Sequence, residues 1–174
     1  CLDGNKKEVE TIELKLTVDD SGEIIPIENQ TNVNLENEVL SNKNLAPKSS
    51  FLLEKHLEDY IIKNWSNIDL NKQYDIHREN NKLCTQYPTG SGPLDILAIS
   101  KDKSEFLVIE LKKGRASDIV MGQIQRYMGH IKNKLAGDKK VSGLIIALED
   151  DKNLKDALSV APNIKFMKYE VSFK

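Results

Sequence analysis

Phe106-Leu-Val-Ile-Glu110-Leu-Lys112 opens with four consecutive apolar residues and closes with two charges two positions apart. A short apolar run without polar alternation suits a central strand covered on both faces. Side chains two apart on a strand share a face, so Glu110 and Lys112 are expected side by side where the strand leaves the core. Charges at that depth cost several kcal/mol in desolvation unless they are paired or coordinated. On this stretch alone, a structural salt bridge is the favoured reading over a metal-ligating carboxylate beside a lysine that handles a nucleophile.

Upstream, Pro88-Thr-Gly-Ser-Gly-Pro93 is a turn that delivers the chain into a second apolar strand, Leu94-Asp95-Ile-Leu-Ala-Ile99. Ser100 to Glu105 turns it back, so the two strands form an antiparallel hairpin. Asp95 and Glu110 stand at similar distances from that turn and are expected on facing positions, with Cβ atoms about 5 Å apart. Carboxylates that close repel, and a cation between them resolves the conflict.

Further upstream, Leu53, Leu57, Tyr60, Ile61 and Trp65 recur at helical spacing and predict a helix from about Phe51 to Trp65, capped by Ser49 or Ser50. Glu54 and Glu58 share one face of it, beside the apolar stripe. Gln73–His77 and Leu83–Tyr87 read as short strands around the turn Glu79-Asn-Asn-Lys82. Downstream, Val120, Ile124, Met128, Ile131 and Leu135 predict a helix from about Ser117 to Leu135, with Gln123 and Tyr127 on one flank of its buried stripe. Val141–Leu148 reads as a buried strand, Asn153–Val160 as a short helix and Asn163–Phe173 as a closing strand. The order predicts an α/β fold, a mixed sheet with helices packed on it.

Residues 1–49 read as an acidic extension, with five lysines against ten acids, and residues 50–174 as the main domain, with twenty bases against seventeen acids. Thr11–Val18 alternates at period two and Glu23–Ile27 could return as a hairpin. An isolated hairpin is marginal in water, so it is expected to pack on the main domain or a partner. Asn29–Asn44 reads as a linker. Basic residues concentrate between Leu111 and Lys140, eight against two acids. Lys113, Arg115, Arg126 and Lys132 are the candidates there to hold a phosphate backbone. No apolar run approaches a membrane span, so no membrane partner is expected. Two cysteines are too few for a disulfide framework, which points to a reducing, cytoplasmic setting. The chain begins at Cys1, which is compatible with initiator removal, trimming or a mature lipoprotein; no signal segment stands in it.

Two hard carboxylates, completed by carbonyl and water oxygens, suit Mg²⁺ or Mn²⁺. The three histidines and two cysteines lack the spacing of a zinc site. A lysine beside such a metal, in a basic neighbourhood, fits phosphoryl chemistry. No Walker-type phosphate loop and no Gly-x-Ser-x-Gly elbow is present.

The set Gly92-Pro-Leu-Asp95, fourteen intervening residues, Glu110-Leu-Lys112 and Gln123-Ile-Gln-Arg-Tyr127 resembles the PD-(D/E)XK nuclease superfamily. More narrowly it is similar to the C-terminal nuclease domain of NucS/EndoMS-type endonucleases, from about Phe51 to Phe173. Leu94 separates the proline from Asp95. The resemblance implies a restriction-endonuclease-like core of helix, strands, helix and strand. It implies Asp95, Glu110 and the backbone carbonyl of Leu111 as metal ligands, and Lys112 as the catalytic lysine. The family's helical glutamate falls on Glu54, and Gln123 and Tyr127 match its helix motif. The implied function is a Mg²⁺-dependent DNA endonuclease in DNA repair, with DNA as partner and room for a homodimer. A non-catalytic nucleic-acid-binding module on the same fold, and an α/β domain with a structural salt bridge, are the competing readings.

Overall fold

The structure, a computed structural model, describes residues 13–18, 24–25 and 56–173, with side chains from 56 to 170. Leu53, Glu54, the two serine caps, the Asn29–Asn44 linker and Cys1 lie outside these residues. Among the described residues eight strands form one mixed sheet. Its centre is β8, Glu105–Ala116, flanked by β7, Gly92–Ser100, and β9, Lys140–Asp150. β7 runs antiparallel to β8 through the predicted hairpin, with Ile99 against Phe106 and Ile96 against Ile109. β9 runs parallel to β8, and β10, Ile164–Phe173, parallel to β9. On the other side of β7 lie β3, Tyr74–Ile76, and β6, Thr85–Thr89. Between these two, β4, Arg78–Glu79, and β5, Lys82–Leu83, form a small separate hairpin.

The apolar run in β8 divides between two layers, as a strand buried on both faces must. Phe106 and Val108 pack with α2, Ile119–Ile131, and with α3, Lys152–Ser159. Leu107, Ile109 and Leu111 pack on the opposite face against Leu57, Tyr60 and Ile61 of α1, residues 56–63. Trp65 and Ile68 extend that second layer through the 3₁₀ turns that follow α1. The alternation turns Glu110 and Lys112 to the α2 side.

The first strands join the main sheet, one of the two places expected for a hairpin that is marginal on its own. β1, Glu13–Val18, pairs in parallel with β10 from Glu13↔Lys168 to Val18↔Phe173, and β2, Ile24–Ile25, returns against β1. The hairpin of the acidic extension is therefore part of the sheet. β10 has an edge of free backbone donors and acceptors to offer, and a period-two strand is suited to take it.

α2 is shorter than the Ser117–Leu135 segment predicted from periodicity. It gives way after Ile131 to a π turn, Lys132–Ala136, and the chain leaves through Gly137 at φ +55°. The Lys132 ammonium donates to the carbonyl of Gly137 (2.8 Å), the C-cap residue, and to that of Lys139 (2.9 Å) in the turn beyond it.

Candidate active site

β7 and β8 keep their paired register only as far as Ile96↔Ile109. One residue further, Asp95 replaces the ladder with its side chain, and its Oδ2 accepts the Leu111 N–H at 2.7 Å. The alternation of β7 breaks at the same point. Leu94 packs in the α2 layer and Ile96 in the α1 layer, although they are two apart. The aspartate is thus re-aimed from a regular strand position onto the backbone of the Glu110-Leu-Lys112 tripeptide. Asp95 and Glu110 come from adjacent strands, as expected.

Glu110 is 2% exposed, and its Oε1 accepts the Lys112 ammonium at 2.7 Å. Lys112 keeps 30% of its side chain in solvent, so it forms the open end of this pair. A β-bulge follows immediately. Lys112 pairs with Ala147 and Arg115 with Glu149, so one extra residue is accommodated around Lys113 and Gly114. Such a bulge bends the strand and changes the aim of its side chains beside the pair.

A third carboxylate reaches the locus from α1. Gln86 donates through Nε2 to Glu58 Oε2 at 2.6 Å and to Asp95 Oδ1 at 3.2 Å, bridging the two acids. Gln86 holds a left-handed backbone, φ +47°, within β6. A non-glycine residue there costs roughly 1–3 kcal/mol and persists where its surroundings over-determine it. Partial burial pushes Glu58 above the ordinary carboxylate range; the Gln86 hydrogen bond works against this, and the Asp95 and Asp59 charges add to it. Glu54, the acid matched by resemblance, lies outside the described residues. Glu58, one turn later, is the helical acid seen beside Asp95. Asp95, Glu110 and the Leu111 carbonyl are oxygen donors of the kind a hard divalent cation takes, and Glu58 is linked to Asp95 through Gln86.

Gln123 and Tyr127 are joined, with Gln123 Nε2 donating to the Tyr127 hydroxyl at 3.1 Å. Tyr127 is only 3% exposed and packs in the same cluster as Ile124, Met128 and Ile131, whose stripe it was expected to flank. Its hydroxyl lies against Gly92, where an added Cβ would come within 3.3 Å of it. Gly92 also holds φ +115°, so this position favours glycine twice over. The motif helix therefore bears on the start of β7, three residues before Asp95.

The four basic candidates separate. Lys113 is exposed on the bulge, and Arg115 pairs with Glu149 at 3.1 Å on the surface. Arg126 is exposed on α2, with its guanidinium over Gly122. Lys132 stands apart, spent on the helix end near Lys140. Lys140 pairs with Glu105 while the site lies at Lys112↔Ala147, roughly 20 Å away at about 3.3 Å per residue. Of the four, Lys132 is the one that donates to backbone carbonyls at the end of the helix.

The sequence reading missed Gln86 and the Glu58–Asp95 association. Both depend on how β6 docks on β7, which no local periodicity encodes. Among the described residues no helix is long and apolar enough to cross a membrane.

The family model for the endonuclease NucS C-terminal domain matches residues 53–171. A solved repair endonuclease from Pyrococcus abyssi is similar in fold, with a TM-score of 0.53 at 19% identity over 77% of this chain and 49% of that one. EndoMS in its dsDNA2 complex gives 0.53 at 16% identity, over 80% of this chain and 49% of that one. EndoMS in its apo form gives 0.50 at 21% identity, over 70% and 47%. The chain spans about half the length of these structures. With the model match running through both layers and every motif strand, the chain belongs to the family of the endonuclease NucS C-terminal domain.

Proposed function

We propose that this domain is a divalent-metal-dependent DNA endonuclease acting in DNA repair, with Mg²⁺ or Mn²⁺ as its ion. The observation that carries the reading is the docking of the Asp95 carboxylate on the Leu111 N–H, which draws an acid from one strand against Glu110-Leu-Lys112 on the next. Asp95, Glu110 and the Leu111 carbonyl would hold the ion, with Glu58 close enough to Asp95 to raise the local negative charge. A bound divalent cation would neutralise phosphate charge and lower the pKa of a water beside it.

The chain's own groups supply the rest. Asp95 is fixed by two donors, Leu111 N–H and Gln86, so little reorganisation is needed when charge arrives. Glu110 is buried and fixed by Lys112. Lys112 stands between that buried acid and solvent, where its ammonium can hold a water or a phosphoryl oxygen and offset developing negative charge. Lys113, Arg115 and Arg126 are proposed to receive the flanking phosphates. The EndoMS–dsDNA2 complex supports DNA as the substrate class.

One observation favours a second reading. Lys112 sits 2.7 Å from Glu110, as it would in a purely structural salt bridge. The two readings part in a cleavage assay on single-stranded, double-stranded, mismatched and flapped DNA with Mg²⁺ or Mn²⁺. The nuclease reading expects metal-dependent cleavage of at least one substrate, lost in Glu110→Gln. Absence of cleavage on every substrate by a folded chain that takes up neither metal would favour the structural salt bridge instead.

A further inference from the structure

The hairpin between β3 and β6 carries a group that the nuclease site does not use. Asn80 and Asn81 both adopt positive φ, +49° and +64°, which is the geometry of a tight type I′ turn. That turn pairs Glu79 with Lys82 and Arg78 with Leu83, and the Cys84 N–H donates to the His77 carbonyl at 2.9 Å. His77 immediately precedes β4, two residues before Glu79, and Cys84 follows β5 and lies across from His77 in the same register. Period two and cross-strand pairing thus turn all three side chains to one face of the hairpin. Their ligand atoms lie within 4.8 Å of one another.

We propose that His77, Glu79 and Cys84 form a second cation site that takes Zn²⁺. Imidazole nitrogen, carboxylate oxygen and thiolate sulfur are the three donor types zinc accepts together, and a tetrahedral ion would leave its fourth position to water. The donor set separates this site from the all-oxygen cluster at Asp95, since sulfur selects against Mg²⁺. Binding releases the thiol proton of Cys84 to solvent, and thiolate and carboxylate together balance the ion's charge. The ligands are already oriented by outer contacts of the kind that accompany metal sites. The Tyr87 hydroxyl donates to Glu79 Oε1 at 3.3 Å, and the His77 ring stands edge-on to Phe106 at 5.1 Å. In sequence the ligands read His-x-Glu-x-x-x-x-Cys, which resembles no paired zinc motif; only the hairpin brings them together. A bound ion would pin β4–β5 to the start of β6, two residues before Gln86.

The test is a Co²⁺ titration of the chelator-treated chain, read by the near-ultraviolet thiolate-to-cobalt absorption, with Zn²⁺ as competitor. The oxygen-only site is silent in that band, so it reports on thiolate ligation alone. One equivalent of Co²⁺ should generate the band, and one equivalent of Zn²⁺ should abolish it even in excess Mg²⁺. Glu110→Gln should leave it unchanged. His77→Ala and Glu79→Gln keep the thiol and should each weaken binding at least tenfold. Cys84→Ser should remove the band, and Cys1→Ser should not. No band at stoichiometric cobalt, a band that follows Cys1, or equal affinity in His77→Ala would overturn the site.

Discussion

Glu110 and Lys112 are chemically unequal partners, because one is buried and the other reaches water. Removing the lysine takes a charged partner from a buried carboxylate; removing the carboxylate leaves an ammonium that can rotate into solvent. Lys112→Ala should therefore destabilise the metal-free protein by about 3 kcal/mol, the lower end for breaking a buried pair. Glu110→Gln should cost distinctly less. Denaturant unfolding checks this, with added Mn²⁺ expected to restore much of the loss in Lys112→Ala by compensating the acid again. Equal losses in the two variants, insensitive to metal, would mean the pair is only structural. Gly92 gives a second test at this scale. Gly92→Ala places a Cβ 3.3 Å from the Tyr127 hydroxyl and forces alanine to φ +115°. A loss of about 1–3 kcal/mol is expected. Tyr127→Phe in the same chain should recover only the contact part, because the backbone strain stays, and a double-mutant cycle separates the two.

At the scale of elements, the docking of α2 on β9 is close enough to forbid a methyl group. A Cβ at Gly143 would lie 2.8 Å from Ile124 Cδ1 and 2.9 Å from Met128 Sδ. Gly143→Ala should overpack this contact and cost roughly 1–3 kcal/mol, seen as a lowered melting temperature. This face of α2 was legible in the sequence, since Val120, Ile124, Met128 and Ile131 follow the helical period. The central strand was equally legible, because a run such as Phe106–Ile109 fits only a doubly covered position. The hairpin that brings Asp95 beside Glu110 followed from the turn between Ser100 and Glu105. The rest depended on partners distant in sequence. Tyr127 is buried because Gly92, on another strand, leaves room for its hydroxyl. Lys132 caps a helix end because the chain turns back at Gly137. Glu58 meets Asp95 through Gln86, whose left-handed backbone carries no periodic signal. Asp95 itself was found by type and spacing, but its break from strand alternation was not.

For the whole molecule, charge is unevenly spread, acidic in residues 1–49 and basic in 50–174. DNA binding through Lys113, Arg115 and Arg126 would release counterions, so affinity should fall steeply as salt rises. Replacing Lys113 with alanine should weaken binding to all sequences alike and flatten that slope by about one charge. An affinity indifferent to salt would argue against a phosphate backbone as partner. The central claim is that the acids gathered at the end of β7 and β8 are a metal site and not merely a salt bridge. Mn²⁺ binding, followed by loss of the free-ion electron paramagnetic resonance signal, tests it most directly. The wild-type chain should bind, Glu110→Gln and Asp95→Asn should bind far more weakly while remaining folded, and Lys112→Ala should still bind. Wild-type protein that takes up no Mn²⁺, or variants that bind it as well as wild type, would contradict the account.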